Sequence, residues 1–195
     1  HMQMPRGGPV GEGPRCQACA QQPAFDAFVR LGSYVPPLDR LVRRAKERAW
    51  HAALVELGWR LGDEVARRLV LPHGEAVVVA VPASPWRRLA RGADHADAMA
   101  AAVGARLAVP HVRALRMGSI ARQAGLGRRD RLKRAPRMRL RRAAALVRGR
   151  GVVLVDDVRT TGATLREAEA LLKQAGAAWV MPAVVCVAEM PQIHQ

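Results

Sequence analysis

The chain has 195 residues, half of them hydrophobic, and its 32 Lys and Arg residues against 16 Asp and Glu give a formal net charge of +16. This length fits one domain of ordinary size with a buried core. Because no apolar run approaches the roughly 20 residues needed to cross a bilayer, and the N-terminus lacks a signal-peptide core, the sequence predicts a cytoplasmic protein without membrane insertion.

The basic excess predicts attraction to polyanions, so nucleic acid, in particular single-stranded DNA, is a candidate partner beside a small phosphorylated ligand. The alternative is an arginine-rich surface that is simply solvated. The four Trp, two Phe and one Tyr are scattered along the chain. They therefore do not form a visible platform on which bases could stack.

The N-terminal region is rich in Gly and Pro up to residue 15, which predicts poor order. Cys16 and Cys19 then form a C-x-x-C pair. A structural zinc site needs four ligands and no second pair lies nearby, so this chain holds at most half of one. We interpret residues 1–35 as a disordered segment with a partial zinc-ribbon remnant, with a redox pair or no role as alternatives, and residues 36–195 as the main domain.

The apolar residues of that domain alternate between helical and strand spacing, which predicts an α/β fold with a mainly parallel sheet flanked by helices. In chain order the patterns predict two amphipathic helices between Leu38 and Val70, a strand over Val77–Val81, a helix over about 94–107, a short strand near Val112, a strand over Val152–Val155, a helix from Leu165 to a stop at Gly176, and a last strand over Trp179–Val187.

Between Arg116 and Arg137 the periodicity stops. This stretch has many basic residues and few apolar anchors, which predicts a long mobile loop over about residues 116–135. A second basic segment follows the strand at Val77–Val81, where Ala83 to Gly92 form a turn that carries three arginines. The carboxyl end of a parallel strand would present that turn to a ligand.

The most specific motif runs from Val152 to Thr164, where a buried strand, two carboxylates and a small, hydroxyl-rich turn precede a helix. The amides of such a turn lie at the positive end of the helix dipole and can surround a phosphate. Asp156 and Asp157 are placed to accept hydrogen bonds from sugar hydroxyls. The alternative is that the carboxylates only end a strand and one Thr only caps the helix.

These thirteen residues resemble the phosphoribosyl-pyrophosphate (PRPP) signature of type I phosphoribosyltransferases. The resemblance implies that Asp156 and Asp157 hold the ribose hydroxyls. It also implies that the 5′-phosphate lies against the turn formed by Arg159, Thr160, Thr161, Gly162, Ala163 and Thr164.

The order of the C-x-x-C pair, the helices, the arginine-rich turn, the basic loop and the signature resembles the ComF family, which combines a zinc ribbon with a phosphoribosyltransferase domain and is associated with DNA uptake. The resemblance implies a pyrophosphate-binding set of Ala83, Ser84, Arg87, Arg88 and Arg91. It places Arg116 and Gln123, as further catalytic candidates, in the basic loop with Arg129 and Arg131.

The predicted activity is a Mg²⁺-dependent transfer of phosphoribosyl from PRPP to a nucleobase-like acceptor, with the basic loop as a lid that excludes water. The sequence shows no clear aromatic clamp for that acceptor. Two alternatives remain open. One is a non-catalytic module in DNA uptake that binds single-stranded DNA or competence proteins, and the other is a PRPP-responsive nucleic-acid-binding regulator. Zinc content and oligomeric state are also open, and a dimer is one option.

Overall fold

The computed structural model describes residues 28–45, 51–69, 75–83, 95–118 and 138–188. Strands and helices alternate along these ranges, as the periodicity predicts. The strands are β1 (Val29–Ser33), β2 (Ala76–Ala80), β3 (Leu115–Met117), β4 (Met138–Leu140), β5 (Gly151–Arg159) and β6 (Trp179–Val187). The helices are α1 (Leu38–Arg44), α2 (His51–Arg68), α3 (His95–Leu107) and α4 (Ala163–Gln174), and a 3₁₀ helix spans Arg142–Val147.

The main sheet of the described chain is parallel, with the strand order β1-β6-β5-β2. Outside β2, the chain near His111 adds a parallel bridge to Val78. The amide of Val78 donates to the carbonyl of Pro110, and the amide of Val112 donates to the carbonyl of Val78, both at 2.8 Å. The short strand predicted near Val112 is therefore present as a single bridge at the edge of the sheet.

Two cores lie on the two faces of this sheet. Val153 and Val155 of β5 pack in the first core with residues of α1, α2 and α3. Val152 and Leu154 pack in the second core with residues of α4 and the 3₁₀ helix. A parallel sheet covered on both faces explains why these strands are continuous apolar runs.

The sheet begins before the domain boundary that the sequence places after residue 35. Val29 pairs with Ala183 and Ser33 with Val187, so β1 belongs to the main sheet. Its sequence, Val-Arg-Leu-Gly-Ser, gives a weak strand signal because an edge strand is buried on fewer sides than a central one. Residues 1–27, with the predicted zinc-ribbon remnant, lie outside the described residues.

The predicted loop over residues 116–135 also needs a correction at its start. Arg116 and Met117 belong to β3, which pairs antiparallel with β4 in a two-stranded ribbon. The remainder of that loop falls outside the described ranges. In those ranges no helix combines the length and the apolar character that a bilayer crossing requires.

Candidate functional site

The candidate site lies where β5 and β2 meet at their carboxyl ends. The two strands are neighbours, but α4, which follows β5, packs in the second core, whereas α3 packs in the first core. Chains that leave adjacent parallel strands toward opposite faces open a crevice between them, and ligands of open α/β sheets bind in such crevices. The half-buried Ala83 lies just past the end of β2.

The acidic pair lies within β5 rather than after it. Pairing with β2 ends where the amide of Val81 donates to the carbonyl of Val155 at 2.9 Å, and β5 continues to Arg159 against β6 alone. Asp156 and Asp157 fall in this one-sided stretch and are half-buried. They therefore stand beside the crevice instead of being enclosed by the sheet.

Strand alternation is broken at the acidic pair. Val155 and Val158 are three residues apart, so a regular strand would direct them to opposite faces, yet both pack against the first core. The carboxylates satisfy backbone donors at this irregularity. Oδ1 of Asp156 accepts from the amide of Asp157, and Oδ1 of Asp157 accepts from the amide of Val158, both at 2.8 Å. Local hydrogen bonds thus orient both carboxylates.

The turn from Thr160 to Gly162 joins β5 to α4. Gly162 is the N-cap of α4 and has a left-handed backbone with φ of 75°. The amide of Ala163 donates to Oγ1 of Thr161 at 3.3 Å, and the first intrahelical bond runs from the amide of Arg166 to the carbonyl of Gly162. Amides that precede this bond have no partner within the helix, so the N-terminus of α4 presents donors and a positive dipole end.

Two guanidinium groups flank this turn. A Cβ atom at Gly162 would lie 3.1 Å from Nη1 of Arg166 and 3.3 Å from Nε of Arg159. Arg166 donates to the carbonyl of Thr161 at 2.7 Å, and Cζ of Arg159 lies 4.9 Å from the ring centroid of Phe28. The turn therefore combines a helix N-terminus with two cations, which is the electrostatic environment of an anion site.

Arg159 belongs to the turn that the sequence motif predicts, whereas Arg166 lies beyond that motif. A signal for Arg166 was present, because the first turn of α4 has no acidic residue and is followed by an arginine. This order opposes the usual preference for carboxylates near a helix N-terminus. A cation at that end is favourable when an anion binds there.

The remaining predicted residues are only partly placed. Arg116 lies exposed on β3, directly opposite Arg139 of β4. The ribbon that carries it is attached to α4, because Oε1 of Glu167 accepts from the amide of Met138 at 2.8 Å. The other predicted residues lie outside the described part of the chain: Ser84, Arg87, Arg88, Arg91, Gln123, Arg129, Arg131, Cys16 and Cys19.

Within the described ranges no group of three or more His, Cys, Asp or Glu residues could hold a metal by itself. Mg²⁺ does not need such a group, because it is commonly bound through one or two carboxylates while phosphate oxygens of the substrate and water complete its shell. The oxygen donors of Asp156 and Asp157 fit a magnesium ion that arrives with a phosphorylated ligand.

Residues 58–192 match the phosphoribosyl transferase domain family. Competence protein F of Haemophilus influenzae is 32% identical over 173 residues, which cover 83% of this chain and 73% of that protein. DNA utilization protein YhgH of Escherichia coli (strain K12) is 33% identical over 184 residues, which cover 88% of this chain and 77% of that protein.

Among solved structures, a glutamine PRPP amidotransferase from B. subtilis is similar with a TM-score of 0.47 and 24% identity, covering 74% of this chain and 28% of that one. The domain match spans more than half of the chain, and the two curated relatives exceed 30% identity over about three quarters of their own length. The chain therefore belongs to the ComF family and contains its phosphoribosyl transferase domain.

Proposed function

We propose that this protein binds PRPP with Mg²⁺ in the crevice between β5 and β2 and transfers its phosphoribosyl group to a nitrogenous acceptor. The observation that carries the proposal is the turn around Gly162, where Arg159 and Arg166 flank the N-terminus of α4 directly after the acidic pair. The family membership supports the same chemistry.

In this proposal the turn from Thr160 to Thr164 binds the 5′-phosphate and the acidic pair accepts hydrogen bonds from the ribose hydroxyls. The bond from C1 of the ribose to pyrophosphate breaks while a bond from C1 to a nitrogen of the acceptor forms. The acceptor loses its proton, and pyrophosphate leaves with the bonding electrons. No nucleophilic side chain is required, because the step depends on stabilising charge at the sugar and at the leaving group.

The second half of the proposed site binds the leaving pyrophosphate. Bound Mg²⁺ would neutralise charge on the pyrophosphate oxygens. The resemblance to the family assigns Ala83, Ser84, Arg87, Arg88 and Arg91 to the pyrophosphate, and it gives Arg116 and Gln123 as further catalytic candidates. Of these residues, Ala83 at the end of β2 and Arg116 on β3 belong to the described chain.

A thermal-shift titration with PRPP and MgCl₂ tests the proposal. Ligand at about 100 times its dissociation constant stabilises a protein by about 2.7 kcal/mol. For a domain of this size we expect the melting temperature to rise by about 5–10 °C. A wild-type protein that gives no shift at millimolar PRPP would falsify the proposal.

The matched variant is Asp156→Asn with Asp157→Asn. Asparagine keeps an Oδ1 acceptor for the amides of Asp157 and Val158, so the melting temperature without ligand should change little. The substitution removes the charge that holds the ribose hydroxyls and the metal. We expect the double variant to lose most of the PRPP-dependent shift, and phosphoribosyl transfer should fall with it.

A second candidate function is binding of single-stranded DNA, and one of the two relatives is named a DNA utilization protein. The observation that favours it is the β3–β4 ribbon, where Arg116 and Arg139 face each other and are both exposed. Like charges directly opposite in a sheet are destabilising. An anion between them would offset that cost, and a phosphate backbone supplies such anions. A non-catalytic module or a PRPP-responsive regulator would use the same two surfaces, which are the phosphate turn and the β3–β4 ribbon.

A further inference from the structure

The guanidinium group of Arg159 lies between an aromatic ring and the phosphate turn, residues 160–164. Its Cζ is 4.9 Å from the ring centroid of Phe28, which comes directly before β1. Its Nε is 3.3 Å from the position that a Cβ atom would take at Gly162. A cation within about 6 Å of a ring centroid is attracted by the electron-rich face of the ring. One cation therefore contacts both Phe28 and the turn.

A second cation makes a support for Arg159 necessary. Nη1 of Arg166 is 3.1 Å from the same Cβ position at Gly162, so the two guanidinium groups lie close together and repel each other. The hydrogen bond of Arg166 to the carbonyl of Thr161, at 2.7 Å, holds the second cation in place. Repulsion and side-chain entropy would favour conformations of Arg159 that point away from the turn. Attraction by the Phe28 ring opposes both effects.

The ring of Phe28 is itself held in place. It is half-buried and packs against the second core. The next residue, Val29, is fully buried and pairs with Ala183 of β6. The carbonyl of Phe28 accepts from Nη1 of Arg68 at 3.5 Å, and Oε1 of Glu64 accepts from Nε and Nη2 of the same arginine at 3.0 and 2.6 Å. Core packing, strand pairing and α2 thus fix the backbone that carries the ring.

Glu64 contributes to this support as an ionised carboxylate. Burial raises the pKa of Glu64, but the hydrogen bonds and charges of Arg68 and Arg67 outweigh burial, so the pKa is below its ordinary value. Ionised carboxylates form the stronger, charge-assisted hydrogen bonds. The end of α2 is therefore connected through Arg68 to the backbone of Phe28.

An aromatic ring differs from a carboxylate as a support for a phosphate-binding arginine. A carboxylate would neutralise the guanidinium group and occupy its N–H donors. A ring face attracts the cation but carries no net charge and leaves the donors available. Arg159 at the Phe28 ring therefore keeps the charge that an incoming anion requires.

We infer that Phe28 is a positioning residue of the phosphate site, whose ring holds the guanidinium group of Arg159 beside Gly162 before the ligand arrives. The inference rests on the proposed function, in which the turn binds the 5′-phosphate. Phe28 acts through Arg159 and not on the substrate. It also precedes residues 58–192, so a part of the chain outside the matched domain supports the phosphate site.

Isothermal titration with ribose 5-phosphate, which carries the same phosphate and has no pyrophosphate to lose, tests this role. Phe28→Leu keeps apolar bulk but removes the ring, and should weaken ribose 5-phosphate about fivefold, the size of one partly buried cation–π contact. Phe28→Tyr keeps the aromatic face and should bind within about twofold of the wild type. Phe28→Met, which also lacks a ring, should match Phe28→Leu and replaces it if the leucine variant does not fold.

Steady-state kinetics with PRPP separates positioning from general damage. The 5′-phosphate is bound equally in the ground state and in the transition state, so Phe28→Leu should raise KM about fivefold and change kcat less than about twofold. Trp59→Leu is the matched control, because it makes the same kind of change at an exposed aromatic residue of α2. It should alter neither the affinity for ribose 5-phosphate nor KM.

A double-mutant cycle shows whether Phe28 acts through Arg159. Arg159→Gln removes the cation, so adding Phe28→Leu to it should weaken ribose 5-phosphate less than about twofold further. If Phe28→Leu costs the same factor with and without Arg159, or if Phe28→Tyr is as weak as Phe28→Leu, the ring serves packing only and the inference is wrong.

The outcomes distinguish the positioning role from the proposed function. A wild type that transfers phosphoribosyl while Phe28→Leu and Phe28→Met bind ribose 5-phosphate normally would overturn the positioning role alone. Binding of ribose 5-phosphate that depends on the ring, in a protein that transfers no phosphoribosyl group, would support the positioning role and reject the transfer. A wild type that binds neither ribose 5-phosphate nor PRPP would overturn both.

Discussion

At the scale of single residues, Gly162 is the position in the site that is least able to accept a side chain. Its φ of 75° is strained for any residue with a Cβ atom, and that atom would also press on the guanidinium groups of Arg159 and Arg166. We expect Gly162→Ala to lower the free energy of unfolding by about 1–2 kcal/mol through the backbone alone. It should also reduce the PRPP-dependent thermal shift, because the turn can no longer close around a phosphate.

Gly149 is the control for this prediction. Its φ of 70° is nearly the same, but a Cβ atom there would meet nothing within 4 Å. Urea unfolding should show a similar loss for Gly149→Ala, while its PRPP response should match that of the wild type. If the two variants respond to PRPP alike, close approach at Gly162 is not part of the site.

The sequence predicts the residues from Asp156 to Thr164 as one group because they are contiguous. It does not predict the groups that reach them from elsewhere. Phe28 contacts Arg159 across more than a hundred residues of sequence, and Asp39 becomes a buried carboxylate. Such features depend on tertiary packing, which no local pattern reports.

At the scale of elements, the contact between β4 and α4 connects the ribbon to the proposed phosphate site. Glu167 projects from the helix that begins at the phosphate turn and accepts from the first amide of β4. We expect Glu167→Ala to speed hydrogen exchange at the Met138 amide about fivefold, since one hydrogen bond is worth roughly 1 kcal/mol. Mass spectrometry or NMR of the exchanging amides measures this effect.

Two further variants serve as controls for that prediction. Glu167→Gln keeps an Oε1 acceptor and should protect Met138 nearly as well as the wild type. Glu169→Ala removes another glutamate of α4, which pairs with Lys173, and should leave Met138 unchanged. Equal exchange at Met138 in all four proteins would mean that Glu167 does not hold the ribbon.

The elements that the sequence predicts well are those whose apolar residues recur with a clear helical or strand period. The helix from Leu165, the strand from Trp179 to Val187 and the helix ending at Leu107 fall within a few residues of their observed bounds. The strands β1, β3 and β4 are missed because they are three to five residues long and each carries an arginine, which is half-buried in β1 and exposed in β3 and β4. Their conformation is fixed by pairing with distant strands rather than by their own apolar pattern.

At the scale of the whole molecule, the formal charge of +16 raises the question of nucleic acid. If the charge is functional, the logarithm of the affinity for single-stranded DNA should fall with the logarithm of salt concentration, with a slope of about −0.7 per phosphate contacted. Fluorescence anisotropy over a salt series measures that slope.

Charge reversal locates the DNA surface. Arg40 and Arg44 are exposed on α1, and Arg139 is exposed on the ribbon; Arg43 is excluded because it pairs with Asp39, and Arg48 lies outside the described residues. Reversal at Arg40 and Arg44, or at Arg139, should weaken DNA binding and spare the PRPP shift, whereas the Asp156 and Asp157 substitutions should do the opposite. If DNA binding vanishes near physiological salt, or if neither the arginine reversals nor the aspartate substitutions change it, the basic residues are only solvated surface charges.

The pairing of β1 with β6 has a consequence for how the chain folds as it is made. Val29 is among the first residues of the sheet to leave the ribosome, and its partner Ala183 is among the last. Pairing across so long a stretch must overcome a large loop-closure entropy and is intrinsically slow. Among the described strands, β1 has no neighbour and β5 has one open side until β6 inserts between them. The sheet can therefore be completed only after β6, its last strand in the sequence, has been synthesised. A nascent chain that stops short of Trp179 cannot complete it.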